Sequence, residues 1–203
     1  MFRYVLVCTL SVAAVGGALA QTAGQSGSQA RQRTESGAAV DQKTTTFIKQ
    51  AAEGGRFEVE SSKLAEQQAR SQDVKSFAQK MIQDHTQANQ QLANAAQQAG
   101  TSVPDVALTK KHATIISNLR ERNGATFDRA YADAQVTAHQ ETIELFSDYS
   151  RQGNNPEIKQ FAEQTLPKLR QHLDMAKDMR RSVEGGAATG ASGGGSGSNQ
   201  KKK

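Results

Sequence analysis

Four polar side chains stand where a helical pattern calls for apolar ones: Glu58, His85, His139 and His172. His85 is the clearest case. Around it Val74, Phe77, Met81, Ile82, Leu92, Ala95 and Ala96 recur at three- and four-residue steps, which at 3.6 residues per turn form one stripe. At about 100° per residue His85 falls within roughly 20° of Val74 and Leu92, in the middle of the face that must be buried. Three imidazoles and a carboxylate on inner faces suit one first-row divalent ion, with zinc, iron, copper and manganese all chemically reasonable. Glu58 would supply charge and the histidines neutral nitrogen donors. The rival reading keeps the same residues without a metal, as a core in which Glu58 hydrogen-bonds the imidazoles and fixes the packing of a non-enzymatic interaction module.

Other chemistry finds little footing. A ferritin-type di-iron centre needs Glu-x-x-His, but Ile82 precedes His85 by three and Leu169 precedes His172 by three, so both motif carboxylates are missing. One ion is expected, and only an unusual redox enzyme would fit. No nucleophile elbow or Gly-rich phosphate loop occurs, and no catalytic residue is assigned. His112 also lies on an apolar face, with Leu108, Ile115, Ile116 and Leu119, and reads as a packing residue.

Four long helices are needed to hold the set. Helix A is expected over about Thr45–Ala69, with Phe47, Ile48, Ala51, Val59, Ser62 and Ala65 inward and Glu53, Glu60 and Lys63 in solvent. The pair Gly54-Gly55 inside it suggests a bend or a close backbone approach. Helix B occupies 71–100, with Ser71 as N-cap, Asp73 in the first turn and Gly100 suited to the left-handed C′ position. A shorter helix starts at Pro104-Asp105 and stops at Asn123-Gly124. Helix C spans about Thr126–Gln152, and helix D starts at Asn155-Pro156-Glu157, an N-cap followed by proline at the first helical position. Pro167 falls on the solvent side of helix D and should kink it without breaking it.

Asp73-Val74-Lys75-Ser76-Phe77-Ala78 echoes Glu157-Ile158-Lys159-Gln160-Phe161-Ala162 at an offset of 84 residues. Two related hairpins, A–B and C–D, joined by a crossover give an all-α, ferritin-like four-helix bundle with a short crossover helix. Each of the four polar residues is near its helix midpoint, so their heights differ by only about 6 Å.

Address and charge follow from the ends. Residues 1–20 carry Arg3, an apolar run and Ala18-Leu19-Ala20, the pattern of a cleaved secretory signal, so an exported periplasmic or envelope protein is expected. No segment approaches the ~20 apolar residues of a membrane span. Cys8 lies within the signal, which leaves the mature chain without thiol chemistry. Residues 21–40 and 185–203 are Gly-, Ser- and Gln-rich and read as disordered flanks of a folded region at 41–184. That region holds 19 Lys/Arg against 19 Asp/Glu, so the formal charge of +5 comes from its flanks. A neutral core offers no footprint for nucleic acid. The tail Lys201-Lys202-Lys203 is suited to weak contact with an anionic envelope surface.

The stretches FIKQAAEGGRFEVE, FAQKMIQDHTQAN, FDRAYADAQVTAH and EIKQFAEQTLPKLRQHL, between Thr45 and Met179, resemble a family of bacterial exported proteins known as domain of unknown function 4142. Glu58, His85, His139 and His172 stand at that family's recurring polar positions. The resemblance implies a ferritin-like four-helix bundle outside the cytoplasm, and it brings no established activity.

Overall fold

The computed structural model describes residues 40–190, whose regular structure is entirely helical: α1 (Gln42–Gln68), α2 (Gln72–Gln98), α3 (Lys110–Arg120), α4 (Gly124–Gln152) and α5 (Pro156–Gly190). The signal expected at 1–20, the linker expected up to residue 40 and the tail expected at the other end fall, for residues 1–39 and 191–203, outside the described residues. Helix α5 runs on to Gly190, past the compositional boundary at 184. No described helix is long and apolar enough to cross a membrane.

Local chemistry sets most of the helix ends. Asp41 Oδ1 accepts the Thr44 backbone N–H at 2.7 Å and opens α1 three residues earlier than the pattern suggests. Gly100 closes α2 with φ of 75°, the left-handed conformation that costs a glycine nothing. Asn155 Oδ1 accepts from Ile158 N at 3.0 Å ahead of α5, with Pro156 as its first residue. Pro167 is exposed, and α5 continues through it.

The sharp α1–α2 turn is held from a distance. Ser71 occupies the N-cap of α2, but its hydroxyl makes no capping bond. Instead the buried Asp128 of α4 accepts the N–H groups of Arg70 and Ser71, each at 3.0 Å. Asp128→Ala should cost about 1–2 kcal/mol in urea unfolding because two backbone donors lose their carboxylate, whereas Ser71→Ala should leave the midpoint almost unchanged.

Helices α1 and α2 pack as one hairpin and α4 and α5 as another, and the hairpins meet through α1 on α4 and α2 on α5. Two apolar clusters fill the ends of this helical bundle. One joins the start of α1 and α5 to the end of α2 and α4, through Phe47, Leu92, Phe146 and Ile158. The other joins the opposite helix ends, through Ala65, Val74, Phe127 and Ala176. Every packed pair among the four long helices is therefore antiparallel, and the connection holding α3 travels the length of the bundle from the end of α2 to the start of α4. Gly55 lets α1 approach α2 closely, since a Cβ there would lie 2.0 Å from Asn89 Oδ1.

Two expectations fail at the crossover. The short helix starts at Lys110, not at Pro104-Asp105, because Thr109 is its cap and accepts the His112 N–H at 3.2 Å. Glu53, expected in solvent, is buried: its Oε1 lies 2.8 Å from both the Thr109 N–H and His112 Nδ1. The crossover covers the outer face of α1, where Phe57 is wholly buried and stacks on the His112 ring with centroids 4.1 Å apart. His112 is thus a packing residue of that lateral contact.

Candidate metal centre

Between the two apolar clusters lies a polar layer. Each long helix brings one buried side chain to it: Glu58 from α1, His85 from α2, His139 from α4 and His172 from α5. On each helix the residue falls between a position in one end cluster and a position in the other, as Met81 and Leu92 do around His85. Helical register alone delivers these side chains to one level.

The three imidazoles form a nearly equilateral triangle. Ring centroids are 5.6 Å apart for His85–His139 and 5.4 Å for both His85–His172 and His139–His172. One nitrogen from each ring belongs to a group whose members all lie within 4.8 Å of one another. Each ring also has a buried nitrogen with no hydrogen-bond partner: Nε2 of His85, Nε2 of His139 and Nδ1 of His172. Buried nitrogens are rarely left so. Metal–nitrogen bonds of about 2.0–2.1 Å would hold three such donors roughly 3.3–3.5 Å apart, inside the 4.8 Å span of this group.

Glu58 is near this group without belonging to it. Its Oε1 lies 3.7 Å from His139 Nδ1, beyond hydrogen-bond reach, and its Oε2 is buried and unpartnered. His139 Nδ1 is 2.9 Å from the Gln135 carbonyl. A carbonyl only accepts, so Nδ1 carries the proton and Nε2 keeps its lone pair. The Gln135 amide donates to Ser61 Oγ at 3.2 Å, and Tyr131 pairs with Ser62 at 2.7 Å, which fastens α4 to α1 beside the layer. The Glu–His hydrogen bond of the metal-free reading is not made among these residues.

Burial controls the electrostatics. It pushes the His85 imidazole well below the usual histidine range, helped by His139 and His172 alongside. It takes His172 down to about 4 even though a bond to Asp84 works the other way. It raises the Glu58 carboxyl against the opposing pull of His139 and the Gln135 amide. At neutral pH His85 and His172 are therefore neutral donors.

One contact had no signal in the sequence. Asp84 Oδ2 lies 2.7 Å from His172 Nε2 and receives Lys80 Nζ at 3.0 Å, with Lys168 Nζ at 3.7 Å. Burial works against the Asp84 charge, yet the bonds from His172 and Lys80 hold its carboxyl below the ordinary value. An acidic residue next to His85 and four after a lysine looks like a solvated helix-surface pair.

Fold and site together define a helical-bundle protein with a buried three-imidazole centre. The chain belongs to the family described as Domain of unknown function (DUF4142), whose pattern matches residues 29–179. No curated protein matches it. Among solved structures it is similar to CopM in the Cu(II)-bound form, at 16% identity and TM-score 0.58 over 68% of this chain and 96% of that one. CopM in the Cu(I)-bound form gives 17% identity and TM-score 0.57 with the same coverage. A DUF305 fragment from Deinococcus radiodurans gives 13% identity and TM-score 0.56, over 74% of this chain and 98% of that one. At these identities the likeness is one of fold.

Proposed function

We propose that this protein is an exported metal-binding protein of the cell envelope that holds one transition-metal ion through His85, His139 and His172, with Glu58 supplying negative charge beside them. The observation that carries the reading is the convergence of three buried imidazoles with an unpartnered nitrogen on each. When bound, the ion is a Lewis acid held away from water in a mostly apolar bundle. The protein's own part is to keep His85 and His172 neutral, fix the tautomers of His139 and His172, and seal the layer with the apolar clusters on either side.

Imidazole suits copper, zinc, iron and nickel, and copper is the first ion to test because the similar bundle of CopM holds it. The antiparallel ring of four long helices with α3 on its side is read here as a ferritin-like four-helix bundle, and residues 1–20 as the export signal. The role is binding, in keeping with a stress-related task in the envelope, and no catalytic group is assigned.

Elemental analysis of the purified mature chain, loaded and desalted, should find about one ion per chain. His85→Ala and His172→Ala should each lose most of it. Equal metal content in the variants would remove the reading.

A further inference from the structure

Resting on that metal reading, we propose that Asp84 is a positioning residue: it fixes the His172 ring so that Nδ1 faces the centre and Nε2 faces the α2–α5 seam. The geometry is direct. His172 is buried, with only 1% of its surface exposed, and its Nε2 meets Asp84 Oδ2 at 2.7 Å. A carboxylate in its charged form can only accept, so the shared proton resides on Nε2 and the Nδ1 lone pair is left free. That nitrogen is the one without a partner.

His139 is held the other way. Its Nδ1 is spent on the Gln135 carbonyl and Nε2 is offered. The centre therefore mixes one Nδ1 donor from α5 with an Nε2 donor from α4, and each orientation is set by a different acceptor. A Nδ1 donor sits nearer its own backbone than a Nε2 donor, so turning His172 over would move its lone pair out of the triangle.

Placement adds a second reason. Asp84 and His85 are consecutive on α2, so one helix supplies both a proposed ligand and the acceptor that orients the proposed ligand of α5. The Asp84 side chain is only 12% exposed, and Lys80 of α2 and Lys168 of α5 face it from the seam. These lysines account for an aspartate at a surface, but not for its short bond to a buried imidazole. Acceptors behind metal-bound histidines raise ligand basicity and fix ring orientation, and losing one typically costs about 10–100-fold in metal affinity.

Two readouts on the full mature chain test this. Ring-nitrogen NMR of the metal-free protein should show His172 protonated at Nε2 and bare at Nδ1, with a slowly exchanging Nε2 proton. In Asp84→Ala both nitrogens should move toward averaged shifts and the protected proton should vanish. Zinc(II) affinity from chelator competition should fall about 10–100-fold in Asp84→Ala and be largely recovered in Asp84→Asn, whose amide oxygen still accepts. A wild-type His172 with its proton on Nδ1, or Asp84→Ala spectra and affinity identical to wild type, would overturn the proposal. If wild type and His172→Ala bind zinc equally, the metal reading fails, while the NMR comparison still decides what Asp84 does. Should Asp84→Ala not fold, Asp84→Asn carries the NMR test: its amide oxygen should keep the His172 proton on Nε2, and averaged nitrogen shifts or a proton on Nδ1 there would contradict the proposal.

Discussion

Copper(II) or zinc(II) added to the metal-free chain is expected to raise its thermal unfolding midpoint by about 5–10 °C once the free ion is a hundredfold above its dissociation constant. The size follows from mass action. Binding to the folded state alone stabilises it by about 2.7 kcal/mol at that excess, and a domain of 150 residues or more gains roughly 2–4 °C per kcal/mol. His85→Ala, His139→Ala and His172→Ala should each abolish most of the increment, because the near-equal sides of the ring triangle, 5.4–5.6 Å, make every ring one of three equivalent supports. Glu58→Gln should keep part of it, since the carboxylate is outside the three-nitrogen group. Each variant is compared with its own ion-free midpoint, because replacing a buried ring by Ala opens a cavity and lowers the metal-free midpoint as well. A midpoint indifferent to the ions, or raised equally in all variants, would contradict the site. Calorimetry on the five proteins with and without ion makes the comparison.

Acid should undo the metal-free protein through the same layer. His172 titrates at about 4 when folded and at about 6.5 when unfolded, so between these values the unfolded chain binds more protons. Stability attributable to His172 is whole above about pH 6.5 and is lost as pH falls toward 4. The shift corresponds to about 3 kcal/mol. His85, depressed in the same direction, adds to the loss. Glu58 works against it: its folded carboxyl is raised, so the native state takes that proton first and recovers part of the difference as pH falls. Urea unfolding at pH 7 and pH 4.5 should therefore show a clear drop for wild type and a smaller one for His172→Gln. A flat profile, or an identical drop in the variant, would contradict the assignment. The bound ion competes with protons for the same nitrogens, so the metal-dependent rise in midpoint should fade over this window too.

How far the sequence reached is instructive at particular residues. His85, His139 and His172 were legible because a 3.6-residue period locates an inner face, and equal distances from the turns place three such faces at one height. Glu58 was legible for the same reason as a buried residue. Periodicity says nothing of where a carboxylate ends within a layer, and it stands beside His139 instead of among the nitrogens. Asp84 escaped because it is one residue, or about 100°, off the stripe of its own helix. Its meeting with His172 depends on how α5 lies against α2, a fact of tertiary packing.

Glu53 and Phe57 escaped for a related reason. They occupy the face of α1 that four helices would leave to water, and the crossover covers it with Thr109 and His112. A crossover judged only by its length and its proline could not announce which face it would lie on. Asp128 is a third case: no local capping pattern reveals an aspartate that closes a turn 57 residues away. The pattern is consistent. Apolar periodicity fixes what each helix buries against its neighbours, while polar contacts between helices depend on register and crossing geometry that no single segment encodes.

The most direct test of the metal centre is anomalous diffraction from crystals of the chain loaded with copper or zinc, recorded at the absorption edge of the added ion. A single peak within about 2–2.3 Å of Nε2 of His85, Nε2 of His139 and Nδ1 of His172 is the predicted result. A peak elsewhere, or none beside three ordered imidazoles, would contradict it.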